Sequence, residues 1–259
     1  MANLEQALGE TIARGDAMLF TGAGFSADAR DLDGAPLPDS AQMVAELWPL
    51  VFGAGEPDDS SLQDLYDAAL QRTAASLAAY VARRLRVGDA ALPAHYAKWF
   101  AAPWRKIYTL NVDDLEHAVQ RQLRLPRPLR SVSALAASPP PARPGAIDVV
   151  HLNGLAGADA SELTFSTMQY AARLCARDHE YEQLAEDLHA VPFVFAGTTL
   201  DEVVLWQHLE LQRRRGKTAQ RPPSFLVSAS LSRARQILLE GLQIYWIRGT
   251  IAEIAERVL

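Results

Sequence analysis

The chain has 259 residues, 49% of them hydrophobic, enough for one large α/β domain or a core with a smaller module. A net charge of -6 and a pI near 5.5 do not favour bulk nucleic-acid binding. A single cysteine, Cys175, excludes an internal disulfide framework and any four-cysteine zinc site. No run of about 18 uninterrupted apolar residues marks a membrane span, and no basic leader with an apolar run opens the chain, so a cytoplasmic protein is expected.

Leu4, Ala7, Leu8, Ile12 and Ala13 recur at helical spacing and predict an opening amphipathic helix. The apolar run Ala17 to Phe20 reads as a strand, and residues 31–38 as a loop. Residues 40–100 read as a helical module, broken at Pro57 and Pro93, with one stripe at Leu62, Leu65, Tyr66 and Ala69 and another at Leu77, Tyr80, Val81 and Leu85. Strands are then expected at 106–110, 148–152, 192–196, 224–227 and 243–247. Helices are expected at 113–123, 167–188, 200–215 and 232–239, with a last one from Thr250. The segment 126–144, with six prolines, reads as a mobile loop or hairpin. The alternation predicts an α/β fold, a doubly wound parallel Rossmann-like sheet with an inserted helical module. The whole chain, 1–259, reads as one domain, a candidate N-terminal part of a longer polypeptide because it stops in a helix.

The first strand runs into Gly22-Ala23-Gly24-Phe25-Ser26-Ala27, a glycine pattern of the strand-to-helix turn that cradles a dinucleotide pyrophosphate. Gly22 allows the tight turn, Gly24 lets backbone approach phosphate, and free N–H groups at a helix start attract the anion. A standard dehydrogenase would close a second strand with an acidic residue about 20 residues later. Residues 39–47 read instead as a capped helix. Three further strand ends carry polar or glycine-rich sequence: Thr109 to Asp114, His151 to Gly154, and Gly197 to Asp201. Taken singly, Asn111 and Asp113 fit a helix N-cap pair, His151 fits a satisfied strand-end histidine, and Gly197-Thr198-Thr199 fits a turn. Their convergence on one sheet edge is what a ligand site needs. His95, His117, His179, His189 and His208 lack metal-ligand spacing, and the tryptophans 99, 104, 206 and 246 read as packing. The basic run Arg213 to Lys217 reads as a solvated loop, with a partner or nucleic-acid contact as the alternative.

From about Leu19 to its end the chain resembles the sirtuin superfamily. Gly22 to Ser26 is similar to the family's Gly-Ala-Gly-x-Ser motif, Thr109 to Asp113 to its Thr-x-Asn-x-Asp motif, and Gly197-Thr198-Thr199 to its Gly-Thr-Ser motif. His151-Leu152-Asn153-Gly154 falls where the family has His-Gly. The resemblance implies NAD as substrate, cleaved at its nicotinamide–ribose bond. Gly22, Ala23, Gly24, Phe25, Ser26, Asp113, Asn153, Gly197, Thr198 and Asp201 are the implied dinucleotide contacts, and Asn111 and His151 the implied catalytic pair. The four-cysteine zinc module and the Pro-x-Phe-Arg signature of protein-deacetylating sirtuins are absent, and Leu110 replaces their Gln. These departures resemble the sirtuin-like domains of bacterial antiphage systems, which deplete NAD. No metal is expected.

The chemistry agrees: an Asn can orient water and a ribose hydroxyl, a His near neutral pKa can accept a proton, and Asp113 can accept from the nicotinamide amide. On a strand, His151 and Asn153 would face the same way and share the pocket. The expected activity is NAD glycohydrolysis, the alternatives a zinc-less deacylase or ADP-ribosyltransferase, or a non-catalytic sensor of NAD or ADP-ribose. Because free NAD hydrolysis is toxic, a homo-oligomer or a sensor partner is expected to gate the site, through the insert or through residues 126–144. Neither a membrane nor direct nucleic acid is expected as partner.

Overall fold

A computed structural model describes residues 2–138, 140–157, 159–175, 178–200, 205–207, 210 and 221–259. Seven parallel strands form one sheet: β1 Met18–Thr21, β2 Ile107–Thr109, β3 Leu129–Ser133, β4 Ile147–His151, β5 Phe193–Ala196, β6 Ser224–Ser228 and β7 Ile244–Arg248. Their order is β3-β4-β2-β1-β5-β6-β7, a Rossmann-like, doubly wound arrangement. The central strands β1 and β5 are short and almost wholly apolar, as strands covered on both faces are.

Alternation along each strand sorts the core into two layers. Leu19, Ile107, Val149, Val194 and Phe225 face one side, against α1 Ala2–Ala13, α6 His95–Ala101, α7 Leu115–Gln122 and the last helix, α11 Ile251–Val258. Phe20, Tyr108, Val150, Phe195 and Leu226 face the other, against α9 His179–Ala190 and α10 Arg233–Glu240. Trp99 and Trp104 pack as expected, their indole N–H groups donating to Ile251 O and Trp99 O.

A third cluster lies in the insert, among α3 Ser40–Phe52, α4 Leu62–Arg72 and α5 Ala74–Arg84. Asp39 opens α3 with a capping box shared with Gln42. Leu47, Tyr66 and Leu77 are fully buried together. The insert is shorter than the expected 40–100, because α6 carries Tyr96, Trp99 and Phe100 into the main core instead. Arg84 anchors it, pairing with buried Asp31 and, at 2.7 and 2.9 Å, with Glu46.

Two further expectations are corrected. The segment 126–144 contains β3, an edge strand. Only Leu129 and Val132 in it are apolar, while Arg130 pairs with Asp148 and the Ser131 hydroxyl donates to Glu116. Polar residues suit an edge and hide its strand pattern. The expected helix 167–188 is two, α8 Thr167–Cys175 and α9, because Asp178 caps α9 by accepting from Tyr181 N at 3.1 Å. Most of the expected helix 200–215, with His208 and the basic run, lies outside the described residues. Among the described residues no helix is long and apolar enough to cross a membrane, and no cluster of His, Cys, Asp and Glu has the makings of a metal site.

Candidate functional site

Register brings the expected residues together. Thr21 pairs with Thr109 and with Ala196, and Thr109 with His151, so four strands end in one row. The chain leaves β1 and β5 at neighbouring points where the winding reverses, the place at which such sheets take ligands.

Backbone meets backbone there. Gly22 N–H donates to Ala196 O at 3.2 Å, and Gly24 N–H to Gly197 O at 2.9 Å. Gly197 has φ +67°, and a Cβ on it would lie 2.1 Å from Phe25 N. A Cβ on Gly22 would lie 2.8 Å from Gly197 O. Only glycine fits at 22 and 197. The helix after the loop, α2 Ala23–Ser26, is a single turn, so its dipole is far smaller than a full helix would give. The Gly24 N–H is committed to Gly197 rather than free for phosphate. Phe25 turns its ring into the core, edge-on to Tyr96, Trp99 and Phe100 with centroids 5.7 to 5.9 Å away. It anchors the loop and does not border the pocket.

A cavity of about 920 Å³ opens over this edge. Gly22, Ala23, Gly24, Ser26, Asn111, Asp113, Asn153, Gly197 and Thr198 all border it. Its walls extend to Met43 and Leu62 of the insert and to the ends of β6 and β7, at Ser228 and Gly249. Asp201 lies outside the described residues.

Asn111 ties the floor together. Its amide nitrogen donates to Gly22 O at 3.0 Å and to Ser26 Oγ at 2.8 Å, which uses both of its protons and leaves the carboxamide oxygen for a ligand. Ser26 in turn hydrogen bonds Asp113. Asp113 also accepts from Leu115 N at 3.1 Å, although the N-cap of α7 is the next residue, Asp114, and not Asp113 as its N-cap reading had it. Burial pushes the Asp113 carboxyl up to about 6, with the Glu116 charge adding to the rise and the Ser26 bond and His151 charge opposing it.

His151 is not in the pocket. It is 1% exposed and lies beneath Asn111. Its Nδ1 meets Asn111 O at 2.9 Å and its Nε2 meets Glu116 Oε1 at 3.1 Å. A carbonyl and a carboxylate both accept only, so both ring nitrogens carry protons and His151 is an imidazolium paired with Glu116. Burial opposes the charge, but Glu116 and the Asn111 carbonyl outweigh it and lift the His151 pKa. Burial likewise opposes the Glu116 carboxylate, and His151 and Ser131 hold its pKa below the usual value. The expectation that His151 and Asn153 share a face fails because β4 ends at His151 and the chain turns. Only Asn153 reaches the cavity.

Asn153 is held at both ends. Its Nδ2 donates to Leu110 O at 3.2 Å and to the Tyr170 hydroxyl at 3.4 Å, and its Oδ1 accepts from Arg173 Nη1 at 3.3 Å. Arg173 is itself buried, with Asp178 2.6 Å from its Nη2 and the Tyr181 ring 4.7 Å away. Sequence reasoning missed Glu116, Tyr170 and Arg173. Glu116 carried one signal: three residues after Asp113, it lies one helical turn on. No known protein family and no curated protein matches the chain in sequence.

Proposed function

We propose that the chain is a sirtuin-like NAD glycohydrolase that splits NAD into nicotinamide and ADP-ribose. The observation that carries the reading is the glycine pinch of Gly22, Gly24 and Gly197 opening onto one pocket floored by Asn111, Asp113 and Asn153. The pocket volume suits a dinucleotide. Cleavage develops oxocarbenium character at the ribose, and the departing nicotinamide is neutral, so no strong acid is required. Fixed polar groups that orient ribose and water supply much of such a rate. The Asn111 carboxamide oxygen and Asn153 are groups of that kind. We extend the proposal to a cytoplasmic role in bacterial antiphage defence by NAD depletion, gated by self-association or by a sensor partner, on the resemblance of the motifs.

The test is incubation of the purified chain with NAD over a protein concentration series, with products separated by chromatography. Nicotinamide and ADP-ribose are expected in equal amounts, with a steeper than linear rise if assembly opens the site. Asn111→Ala should lower turnover about a hundredfold or more with the fold kept. Acyl or ADP-ribosyl transfer to protein would favour the transferase alternative. Tight NAD binding without any turnover would replace the hydrolase with a sensor.

A further inference from the structure

The pocket needs a group that can take a proton from water, and the histidine expected to do so is locked away. We propose that Asp113 is that group, and that His151 and Glu116 are positioning residues beneath it. The proposal rests on the NAD-hydrolase reading.

The geometry argues by elimination. Among the described residues, the titratable side chains bordering the cavity are Asp28, Asp113 and Tyr170. Asp28 sits at the mouth, half exposed and facing His95 at 3.5 Å. The Tyr170 hydroxyl already receives the Asn153 amide, and a phenol is protonated near neutrality. His151 offers no free nitrogen lone pair. Asp113 remains, four residues past the end of β2 and two past Asn111, whose side chain ties this segment to Gly22. It has two described donors, Leu115 N and Ser26, against roughly four acceptor sites on a carboxylate. A water on the pocket side can therefore donate to it.

The step balances simply. The water oxygen bonds to the ribose anomeric carbon as the bond to the nicotinamide nitrogen breaks. That bond's electron pair neutralises the pyridinium, and the water proton passes to the Asp113 carboxylate and later to solvent. Three groups face Asp113 from the elements packed on it: Glu116 of α7, His151 of β4 and Tyr96 of α6. The first two form an ion pair, His151 with its pKa raised and Glu116 with its pKa lowered, so both stay charged on the acid limb where Asp113, with a pKa of about 6, takes up its proton.

The experiment compares hydrolysis with azidolysis, since azide attacks ribose without losing a proton. In wild type, the hydrolysis kcat should fall tenfold per pH unit below about 6, and the azide reaction should lack that limb. Asp113→Asn should lose about a hundredfold or more in hydrolysis, keep its KM for NAD within a few fold, and recover turnover with azide. His151→Gln, whatever its rate, should keep the acid limb. Hydrolysis by Asp113→Asn at the wild-type rate overturns the assignment, and so does its failure to recover with azide while it still binds NAD. If that variant does not fold, the two wild-type profiles decide, and identical limbs in both, or none, refute the proposal. A wild-type chain inert toward NAD defeats the hydrolase reading itself, and the proposal with it.

Discussion

Removing the Glu116 carboxylate is the sharpest perturbation of this site. In Glu116→Ala the His151 imidazolium, 1% exposed, loses its counter-charge and one hydrogen bond. Breaking a buried pair from one side costs about 3–5 kcal/mol. A domain of ordinary stability, about 5–15 kcal/mol, survives that loss near its lower end. Glu116→Gln is gentler: His151 can discharge, keep its Nδ1 proton on Asn111 O, and accept an amide proton at Nε2. Its cost should stay under about 2 kcal/mol. The pH dependence fixes the sign. The raised His151 pKa contributes stability that is complete below the unfolded value of 6.5 and fades as pH rises through the folded value. The lowered Glu116 pKa contributes stability that is complete above 4.5 and fades as pH falls through the folded value. The pair therefore acts fully between pH 4.5 and 6.5. Urea denaturation from pH 4 to 9 reads this out as a gap between wild type and Glu116→Gln that is widest in that window and narrows above it. A gap that does not change with pH, or a Glu116→Ala cost below about 1 kcal/mol, would refute the imidazolium assignment.

Gly197→Ala should open the pinch. Its Cβ meets Phe25 N, Gly24 C and Phe25 Cα at 2.1 to 2.7 Å, all backbone, so the loop must retreat by about an ångström, which can cost about a hundredfold in rate. Added strain and overpacking should cost about 2–4 kcal/mol, measured by denaturation. Arg84→Met leaves Asp31, whose side chain is fully buried, without its cation, and should cost about 3–5 kcal/mol. Because the loop after Asp31 brings Leu37 and Pro38 to the pocket wall, this variant should also bind NAD more weakly by calorimetry and be cut faster by protease in the loop and insert.

Much of the site was legible because parallel strands end in register, so polar residues that follow apolar runs converge whatever separates them in the chain. Gly22, Asn111, Asn153 and Gly197 were found that way. His151 was found but misplaced. Strand alternation predicts a shared face only while the strand lasts, and β4 stops at that residue. Glu116 looked like any acidic residue in the first turn of a helix, and only the packing of α7 against β4 turns it toward His151. The break between α8 and α9 depended on Asp178 acting both as cap and as partner of Arg173, which apolar periodicity does not reveal. Edge strand β3 was hidden by its own polar pairs.

The position of β1 between β2 and β5 governs when this pocket can exist during synthesis. Asn111 must reach Gly22 across 89 residues, and Gly197, which completes the pinch, leaves the ribosome much later still. Contacts so distant in sequence form slowly, and synthesis proceeds at about 5–20 residues per second. Nascent chains that end before β5 have no wall on one side of the loop and no complete pocket. Such a topology delays completion of the site until most of the domain has been translated.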